Sequence, residues 1–201
     1  LFHLNYLTKG AALDGSDGLA KKASGRFYTG ELAGCELARR VATAYRLSHP
    51  KSRAIRVIDP FGGDGRLLAW LIDAWTKFGY QQVSWEVTVW DVDTPGFDAA
   101  RTRLANVAQT TKAKVSQSYL VADTFAEARS HAGSFDIVLT NPPWALLKPD
   151  RRELEALAPE KRTKYVDQLR AYDRWLSLYY PLSQPRRKFA GWGTNLSRVG
   201  L

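Results

Sequence analysis

The residues best suited to chemistry in this sequence stand together in one short segment, VLTNPPW, at positions 138–144. An apolar run at 135–139 is followed at once by an asparagine, two prolines and a tryptophan: Asn141, Pro142, Pro143 and Trp144. The run predicts a buried strand, which the prolines end because they cannot donate to a sheet ladder. The asparagine and the tryptophan are therefore expected at the carboxyl end of a strand, the edge where open α/β sheets bind ligands.

A second candidate is the glycine-rich segment DPFGGDGR at 59–66, which lies between a predicted strand and a predicted helix. Its glycines, Gly62, Gly63 and Gly65, allow a tight turn and let a ligand approach without meeting a Cβ atom. Amides at the following helix start would face that ligand. The spacing is neither that of GxGxxG nor that of a P-loop, and Asp59 and Asp64 would repel a pyrophosphate. The turn therefore favours a cationic or uncharged ligand, such as one with an ammonium or sulfonium group.

Two further aspartates stand at predicted strand ends. Asp91 ends the second strand and Asp123 the third. Carboxylates that face one cleft can accept hydrogen bonds from ribose hydroxyls or from an exocyclic amine, and Val92 offers an apolar surface for a base. Taken alone, each aspartate is more often a turn residue or a helix cap. Together with the glycine turn and the strand end at Asn141, they indicate one functional edge.

The elements that must position these residues alternate between strands and helices. Strands are predicted at 55–59, 87–90, 119–123 and 135–139, and helices at 31–47, 67–78, 97–108 and about 125–131. The first helix is predicted to turn four residues inward at helical spacing, Leu37, Val41, Ala44 and Tyr45, and Gly79 is the expected cap of the second. This alternation predicts a doubly wound α/β fold with a mostly parallel sheet and right-handed crossovers.

Composition narrows the class of protein. The chain has 201 residues, of which 45% are hydrophobic, enough for a substantial core. No apolar run approaches the ~20 residues needed to cross a bilayer, and no signal peptide is recognisable, so we expect a cytoplasmic protein without a membrane segment. A lone Cys35 excludes an internal disulfide and a multi-cysteine metal site. The net charge of +9 favours a polyanionic partner such as nucleic acid, although a solvated basic surface is the alternative.

The chain divides by texture into three predicted parts. Residues 1–24 are expected to form an N-terminal arm, 25–147 a catalytic core, and 148–201 a charged and aromatic helical excursion. The excursion is interpretable as a solvated helical surface or as a surface for phosphates and unstacked bases. A complete sheet of this type needs further strands after the one at 135–139. We therefore expect the sheet to be incomplete at the C-terminus of this sequence.

These motifs, taken in order, carry a family resemblance. RFYTG before the first helix, DPFGGDGR after the first strand, Asp91, Asp123 and NPPW resemble the ordered motifs of S-adenosylmethionine-dependent amino methyltransferases. The likeness is greatest to the N6-adenine DNA methyltransferases of the gamma order, in which the cofactor motifs precede the catalytic one. It covers roughly residues 24–146 and implies a Rossmann-like class I methyltransferase fold with S-adenosyl-L-methionine as cofactor.

The resemblance also implies roles for individual residues. Asp59 and the backbone of Phe61, Gly62, Gly63 and Gly65 would meet the methionine part of the cofactor. Thr29 would hydrogen-bond the cofactor carboxylate, Asp91 the ribose hydroxyls and Asp123 the adenine amine. The family often has a proline after the threonine, whereas Gly30 follows here. No metal ion is implied.

For the NPPW segment the implied role is catalytic. The Asn141 side-chain oxygen and the Pro142 carbonyl would accept the hydrogens of a target amine, and the prolines would hold that carbonyl rigidly outward. Trp144 would stack on the extruded base, because the amine is inaccessible inside a duplex. The expected partner is double-stranded DNA with the target base flipped, with restriction or specificity subunits as further partners. Methylation of RNA bases or of a protein glutamine amide, and a non-catalytic cofactor-binding subunit, are the alternatives.

Overall fold

The computed structural model of the chain describes residues 29–80, 82–92, 94–144 and 151–183. The chain forms two compact units, and the described residues up to Asn141 belong to the larger one, whereas those from Pro142 onward belong to the other. The predicted N-terminal arm at 1–24 lies outside the described residues. Each unit is considered by itself below.

The larger unit is organised around a four-stranded sheet in which every neighbouring pair of strands is parallel. Its strands are β1 (Ala54–Asp59), β2 (Ser84–Asp91), β3 (Lys114–Val121) and β4 (Ile137–Val138). They lie in the order β3-β2-β1-β4, and Val57 pairs with Val87 on one side and with Ile137 on the other. The strand order reverses between β1 and β4, which is the point where ligands of open α/β sheets bind.

Helices follow the strands as the periodicity predicts. They are α1 (Glu31–Ser48), α2 (Arg66–Lys77), α3 (Phe97–Thr111) and the short α4 (Thr124–Glu127), which continues as a 3-10 turn, Ala128–His131. The apolar side chains of α2 and α3 pack with those of β1 and β2 in one core, and Leu68, Leu104, Ile55 and Val87 are at most 1% exposed. Gly79 ends α2 with a φ of 65°, as expected for a glycine cap. The predicted α/β fold with a Rossmann-like parallel sheet is confirmed.

The inward face of α1 differs from the prediction. The helix buries Gly34, Ala38 and Ala42, whereas Leu37 is 39% exposed and Ala44 is also exposed; Val41 and Tyr45 are only partly buried. The sequence argument followed the larger apolar side chains, but the helix packs closely through a stripe of small ones. A Cβ atom at Gly34 would lie 2.0 Å from a ring carbon of Trp70, so this glycine permits the contact between α1 and α2.

The lengths of the outer strands also differ from the prediction. β3 begins at Lys114 rather than at 119, and it ends at Val121. Its outward positions are polar or exposed because it is an edge strand, so its first half lacks the apolar signal of a buried strand. β4 is shorter than the predicted 135–139 and comprises Ile137 and Val138 alone. Among the described strands it lies at the opposite edge and pairs with β1.

From Arg151 onward, the described part of the second unit is mostly helical. It contains α5 (Arg151–Ala156), α6 (Pro159–Tyr179) and a 3-10 turn, Pro181–Ser183. Helix α6 starts with proline in its first turn, where the missing amide costs nothing, and it buries Leu169, Tyr172 and Leu176. None of the helices in the described part of the chain combines the length and apolar composition needed to cross a membrane.

Candidate functional site at the carboxyl edge of the sheet

The glycine turn between β1 and α2 is held by hydrogen bonds from its own amides. Four of these amides donate to acceptors within the protein rather than pointing outward. The pairs are Phe61 to the Asp59 carboxylate (3.2 Å), Gly62 to the Trp90 carbonyl (2.9 Å), Gly63 to the Asp91 carboxylate (3.1 Å) and Gly65 to the Gly62 carbonyl (2.8 Å). The turn therefore differs from an open row of amides that binds a phosphate, and it is fastened to the end of β2.

Two of the turn glycines are required by the packing of the protein itself. A Cβ atom at Gly62 would lie 2.4 Å from a methyl carbon of Val89. Gly65 has a φ of 70°, and a Cβ atom there would lie 3.0 Å from that of Ala100. The sequence predicted that these glycines allow a tight turn and the approach of a ligand, and the positive φ of Gly65 agrees with the first reason. The structure gives an internal reason at both positions, because strand β2 and helix α3 occupy the space.

A further glycine completes this packing and was missed by the sequence analysis. Gly96 immediately precedes α3, and a Cβ atom there would lie 2.4 Å from the carbonyl oxygen of Gly63. The start of α3 therefore rests directly on the backbone of the glycine turn. No signal in the sequence identifies this contact, because helix α2 and strand β2 both lie between the two glycines along the chain.

The negative charge of Asp64 in the glycine turn is balanced by two arginines. Asp64 is paired with Arg66 at 2.6 Å and with Arg103 at 3.1 Å. Burial acts to raise the pKa of Asp64, but the hydrogen bonds and charge of Arg66, together with the charge of Arg103, outweigh it and hold the pKa below its ordinary value. The expectation that Asp64 gives the turn a repelling negative charge is therefore wrong. The sequence analysis did not single out Arg103, because it stands on α3, 39 residues after Asp64 along the chain.

Asp59 ends β1 and is buried, with 3% of its surface exposed. Burial is the main cause that raises the pKa of its carboxyl from 3.8 to about 7, and the charges of Asp91 and Asp64 act in the same direction. The Thr140 hydroxyl and the Phe61 amide oppose that rise. The Asp59 carboxyl therefore keeps its proton to a much higher pH than an exposed aspartate does.

Thr140 brings the end of β4 beside the end of β1. The Leu139 amide donates to the Ile58 carbonyl at 3.0 Å, and the next residue, Thr140, faces Asp59. Its buried hydroxyl makes no hydrogen bond of ordinary length and angle within the described part of the chain. The hydroxyl nevertheless lies near enough to Asp59 to lower the pKa of its carboxyl.

The end of β2 places Asp91 at the same edge. Its carboxylate accepts the Gly63 amide, and its carbonyl accepts the amide of Ala122 at 2.9 Å. Asp91 thus joins the glycine turn on one side and the end of β3 on the other. Asp91 and the following Val92 are both half-buried.

Asp123 lies beyond the end of β3 and caps α4. Its carboxylate accepts the Phe125 amide at 3.0 Å, which is the hydrogen bond of a helix N-cap. The hydroxyl of the next residue, Thr124, donates to the Pro60 carbonyl and ties this loop to the glycine turn. The helix-cap interpretation of Asp123 is confirmed, and its contact with a ligand stays a prediction.

Thr29 lies beside the glycine turn as well. The Arg66 guanidinium donates to the Thr29 carbonyl at 3.2 Å, so the residue that precedes α1 lies beside the glycine turn. Asn141, half-buried, is the last residue of the larger unit. The remaining predicted catalytic residues belong to the second unit, where Pro142 is buried, Pro143 is half-buried and Trp144 is 64% exposed.

The larger unit thus gathers Thr29, Asp59, the glycine turn and Asp91 by direct contacts, with Thr140 beside Asp59. Sequence reasoning missed Gly96, Arg103 and Thr140, although Thr140 stands next to the singled-out Asn141 and could have been included on that ground. Among the residues that the structure describes, no three His, Cys, Asp or Glu side chains are grouped as ligands for a metal ion.

Comparisons with known proteins are sparse. No protein-family model matches the chain, and no curated protein matches it. Among solved structures, the chain is similar to a proposed class I S-adenosylmethionine-dependent methyltransferase from Listeria monocytogenes, at 18% identity and a TM-score of 0.38. The match covers 70% of this chain and 41% of that one, so the chain spans about two fifths of the length of that protein. A likeness this distant does not decide the function of the chain.

Proposed function

We propose that this chain is the catalytic core of an S-adenosylmethionine-dependent methyltransferase that methylates the N6 amine of adenine in duplex DNA, in a restriction-modification or phage-defence system. The observation that carries the proposal is the meeting of motifs at one edge of the sheet. The glycine turn is bonded to Asp91 at 3.1 Å, and Thr140, the neighbour of Asn141, faces Asp59. This edge includes the reversal of strand order between β1 and β4.

The chemistry of the acceptor set fits the proposed cofactor. A dinucleotide would need free amides for its pyrophosphate, but four amides of the turn donate within the protein. The acceptors that the edge presents are carboxyl oxygens, on the half-buried Asp91 and Asp123 and on the buried Asp59. Such groups accept hydrogens from ribose hydroxyls, from an ammonium group and from an adenine amine. Asp91 would hold the ribose, Val92 would flank the base and Thr29 would bind the carboxylate.

Asn141 and Pro142 would prepare the acceptor amine. An exocyclic amine is a weak nucleophile because its lone pair is delocalised into the ring. Two oxygens, the Asn141 side-chain oxygen and the Pro142 carbonyl, would accept its two hydrogens and draw the nitrogen toward tetrahedral geometry. The freed lone pair then has a defined direction, so positioning supplies most of the catalysis. The cofactor, when bound, supplies an electrophilic methyl group on a sulfonium centre.

Duplex DNA is the acceptor that best matches the charge and the aromatic residue. The net charge of +9 favours a polyanion, and Trp144 exposes 64% of its surface, which suits stacking on an extruded base. A flipped adenine would present its amine to Asn141, and Pro143 would restrain the backbone between that residue and the tryptophan.

The test is methyl transfer from radiolabelled S-adenosylmethionine to separate pools of duplex DNA, structured RNA and protein. The wild type is compared with Asn141→Ala and with Asn106→Ala, which removes an exposed asparagine from α3. We expect label in DNA as N6-methyladenine, a loss of at least about a hundredfold in Asn141→Ala and no loss in Asn106→Ala. Label in RNA or in protein would show that the acceptor is not DNA, while methyl transfer itself would stand. Cofactor binding without label in any pool would favour a non-catalytic subunit.

A further inference from the structure

Beside the glycine turn lies a compact group of two arginines and one aspartate. The Arg66 guanidinium contacts both carboxylate oxygens of Asp64, with its Nε 2.9 Å from Oδ1 and its Nη2 2.6 Å from Oδ2. Arg103 reaches the same residue from α3, with its Nη2 3.1 Å from Oδ2 and its Nε 3.2 Å from the carbonyl oxygen. Charge-assisted, two-point contacts of this kind fix a guanidinium in one orientation. We call this group the Asp64 cluster.

The cluster extends to the segment before α1. The Nη1 atom of Arg66 donates to the Thr29 carbonyl at 3.2 Å, and the guanidinium carbon lies 6.0 Å from the centre of the Trp70 ring. Trp70 in turn packs against Gly34 of α1, where a Cβ atom would collide with the ring. Two contacts, one at Thr29 and one at Gly34, therefore fix the start of α1 relative to the start of α2.

The Asp64 cluster taken by itself carries more positive than negative groups. The Asp64 cluster contains one carboxylate and two guanidinium groups, so its formal charge is +1. Asp64 is only 11% exposed and Arg66 28%, so solvent screens these charges less than it screens a surface pair. An anionic group beside Thr29 would be attracted by the Arg66 guanidinium, which contacts that residue, whereas a cationic group would be favoured toward Asp91.

We propose that Arg66, oriented by Asp64 and supported by the charge of Arg103, is a positioning residue that fixes Thr29 and makes this corner the receptor for the carboxylate end of the bound amino-acid moiety. This inference rests on the proposed function, because that function supplies a ligand with a carboxylate. It assigns the arginines a role in how the ligand is oriented along the edge. The positive end lies at Thr29, and the carboxyl groups of β1 and β2 lie at the other end.

The experiment measures the binding of two ligands by isothermal titration calorimetry. The first is S-adenosylhomocysteine, and the second is its decarboxylated analogue, which keeps the nucleoside and the ammonium group but lacks the carboxylate. Arg66→Ala is expected to weaken binding of the first by about tenfold or more and of the second by less than about twofold. Arg66→Lys keeps the charge without the fork and should give an intermediate loss.

Matched variants control for charge and for folding. Arg103→Ala should weaken S-adenosylhomocysteine binding by a smaller factor than Arg66→Ala, whereas Arg101→Ala, two residues away on the same helix, should leave it unchanged. Arg101 pairs with Asp98 and lies over Tyr119 instead. Asp64→Asn raises the net charge but loosens Arg66, and we expect it to weaken binding as well. Thermal melts establish whether each variant is folded. If Arg66→Ala does not fold, the binding losses of Arg103→Ala and Arg66→Lys test the role of Arg66 instead.

The outcomes separate this inference from the proposed function. A wild type that binds neither ligand would overturn the proposed function, and this inference with it. A wild type that binds both, with equal losses for the two ligands in Arg66→Ala or no loss in either, would overturn the inference alone. Tighter S-adenosylhomocysteine binding by Asp64→Asn would overturn the positioning role of Arg66.

Discussion

The turn after β1 and the strand end after β4 lie at the same edge of the sheet, but they are built in different ways. Four amides of the turn donate within the protein, and its backbone is in close contact with Gly96. β4 has two residues and, within the part of the chain that the structure describes, one neighbouring strand; its Val138 is 63% exposed. The Thr140 hydroxyl that follows lacks a well-aligned hydrogen bond within the described chain.

This difference indicates how an edge of this kind can divide its tasks. A part whose backbone groups are satisfied by neighbours has one favourable conformation, which suits a ligand that is always the same. The start of β4 is fixed by the hydrogen bonds between Asp136 and Arg56, whereas the Thr140 hydroxyl beyond its end lacks a well-aligned partner in the described chain. A strand end with an unsatisfied polar group and one neighbouring strand among the described residues has a lower cost of local movement. Such a part suits an acceptor group that must be brought in and released.

The largest effect is expected from a substitution that disrupts the packing of the glycine turn after β1. Gly96→Ala inserts a Cβ atom 2.4 Å from the Gly63 carbonyl oxygen, and backbone on both sides must shift to relieve the clash. We expect a loss of about 3 kcal/mol in the free energy of unfolding, measured by urea denaturation. Gly30→Ala is the control, because nothing lies within 4 Å of a Cβ atom there; as an N-cap change it should cost at most about 1 kcal/mol. Equal losses in the two variants would contradict the packing argument.

The next effect concerns the protonation of Asp59, which lies between the glycine turn and the strand end after β4. Asp59 has a folded-state pKa of about 7 against 3.8 when unfolded, so the folded protein binds its proton more tightly. The resulting stability is fully present below about pH 4 and is lost as the pH rises through about 7.

Between pH 5 and pH 8 the wild type should lose on the order of 2 kcal/mol from this source, whereas Asp59→Asn should not. Urea titrations at several pH values measure the difference between the two curves. Asp64 and Asp136 have lowered pKa values and lose their stabilising contribution only as the solution becomes more acidic, outside this window. Parallel curves for the two proteins would show that Asp59 is ionised like an exposed carboxyl.

A smaller effect sharpens the contact across the edge. Thr140→Val removes the hydroxyl that helps to lower the pKa of Asp59, so that pKa should rise further. Carboxyl ¹³C chemical shifts followed through a pH titration measure the change. Because the hydroxyl makes no ordinary hydrogen bond, the cost in stability should stay below about 1 kcal/mol. An unchanged Asp59 pKa would mean that the two strand ends are not coupled through this side chain.

The smallest effect tests how lightly β4 is held. Val138→Ala should cost less than about 1 kcal/mol, because the side chain is 63% exposed on an edge strand. Val57→Ala on the neighbouring β1 is the matched change; its side chain is fully buried, and the loss should be about 2 kcal/mol. Similar losses at the two positions would show that β4 is as firmly packed as the central strands.

The parts of the fold that the sequence predicts are those with strong local periodicity. β1, α2 and α3 were placed within a few residues, because their apolar positions repeat clearly and turn residues bound them. β3 was placed too late, since an edge strand alternates polar with apolar residues. The inward face of α1 was misassigned because Gly34, Ala38 and Ala42 carry little hydrophobicity, and their value lies in how closely they let another helix approach.

For the site, the sequence supplied the residues but not their partners. It singled out Asp59, Asp91 and the turn glycines, and the larger unit brings them together at one edge. It could not supply the neutralisation of Asp64 by Arg103, nor the contact of Gly96 with Gly63, because each joins residues more than 30 positions apart. The sequence shows that a residue is charged, but it does not show which distant residue will lie beside it in the fold.

The sequence by itself determined the order of strands and helices and the chemical groups at each strand end, because both depend on interactions between residues close along the chain. The tertiary structure decided which strands are neighbours, why Gly62 and Gly65 must lack side chains, and that Asp64 is paired with Arg103 as well as with Arg66. These properties arise from burial and from contacts between distant segments. Hydrophobic packing and electrostatic pairing act through space, so only the folded chain fixes them.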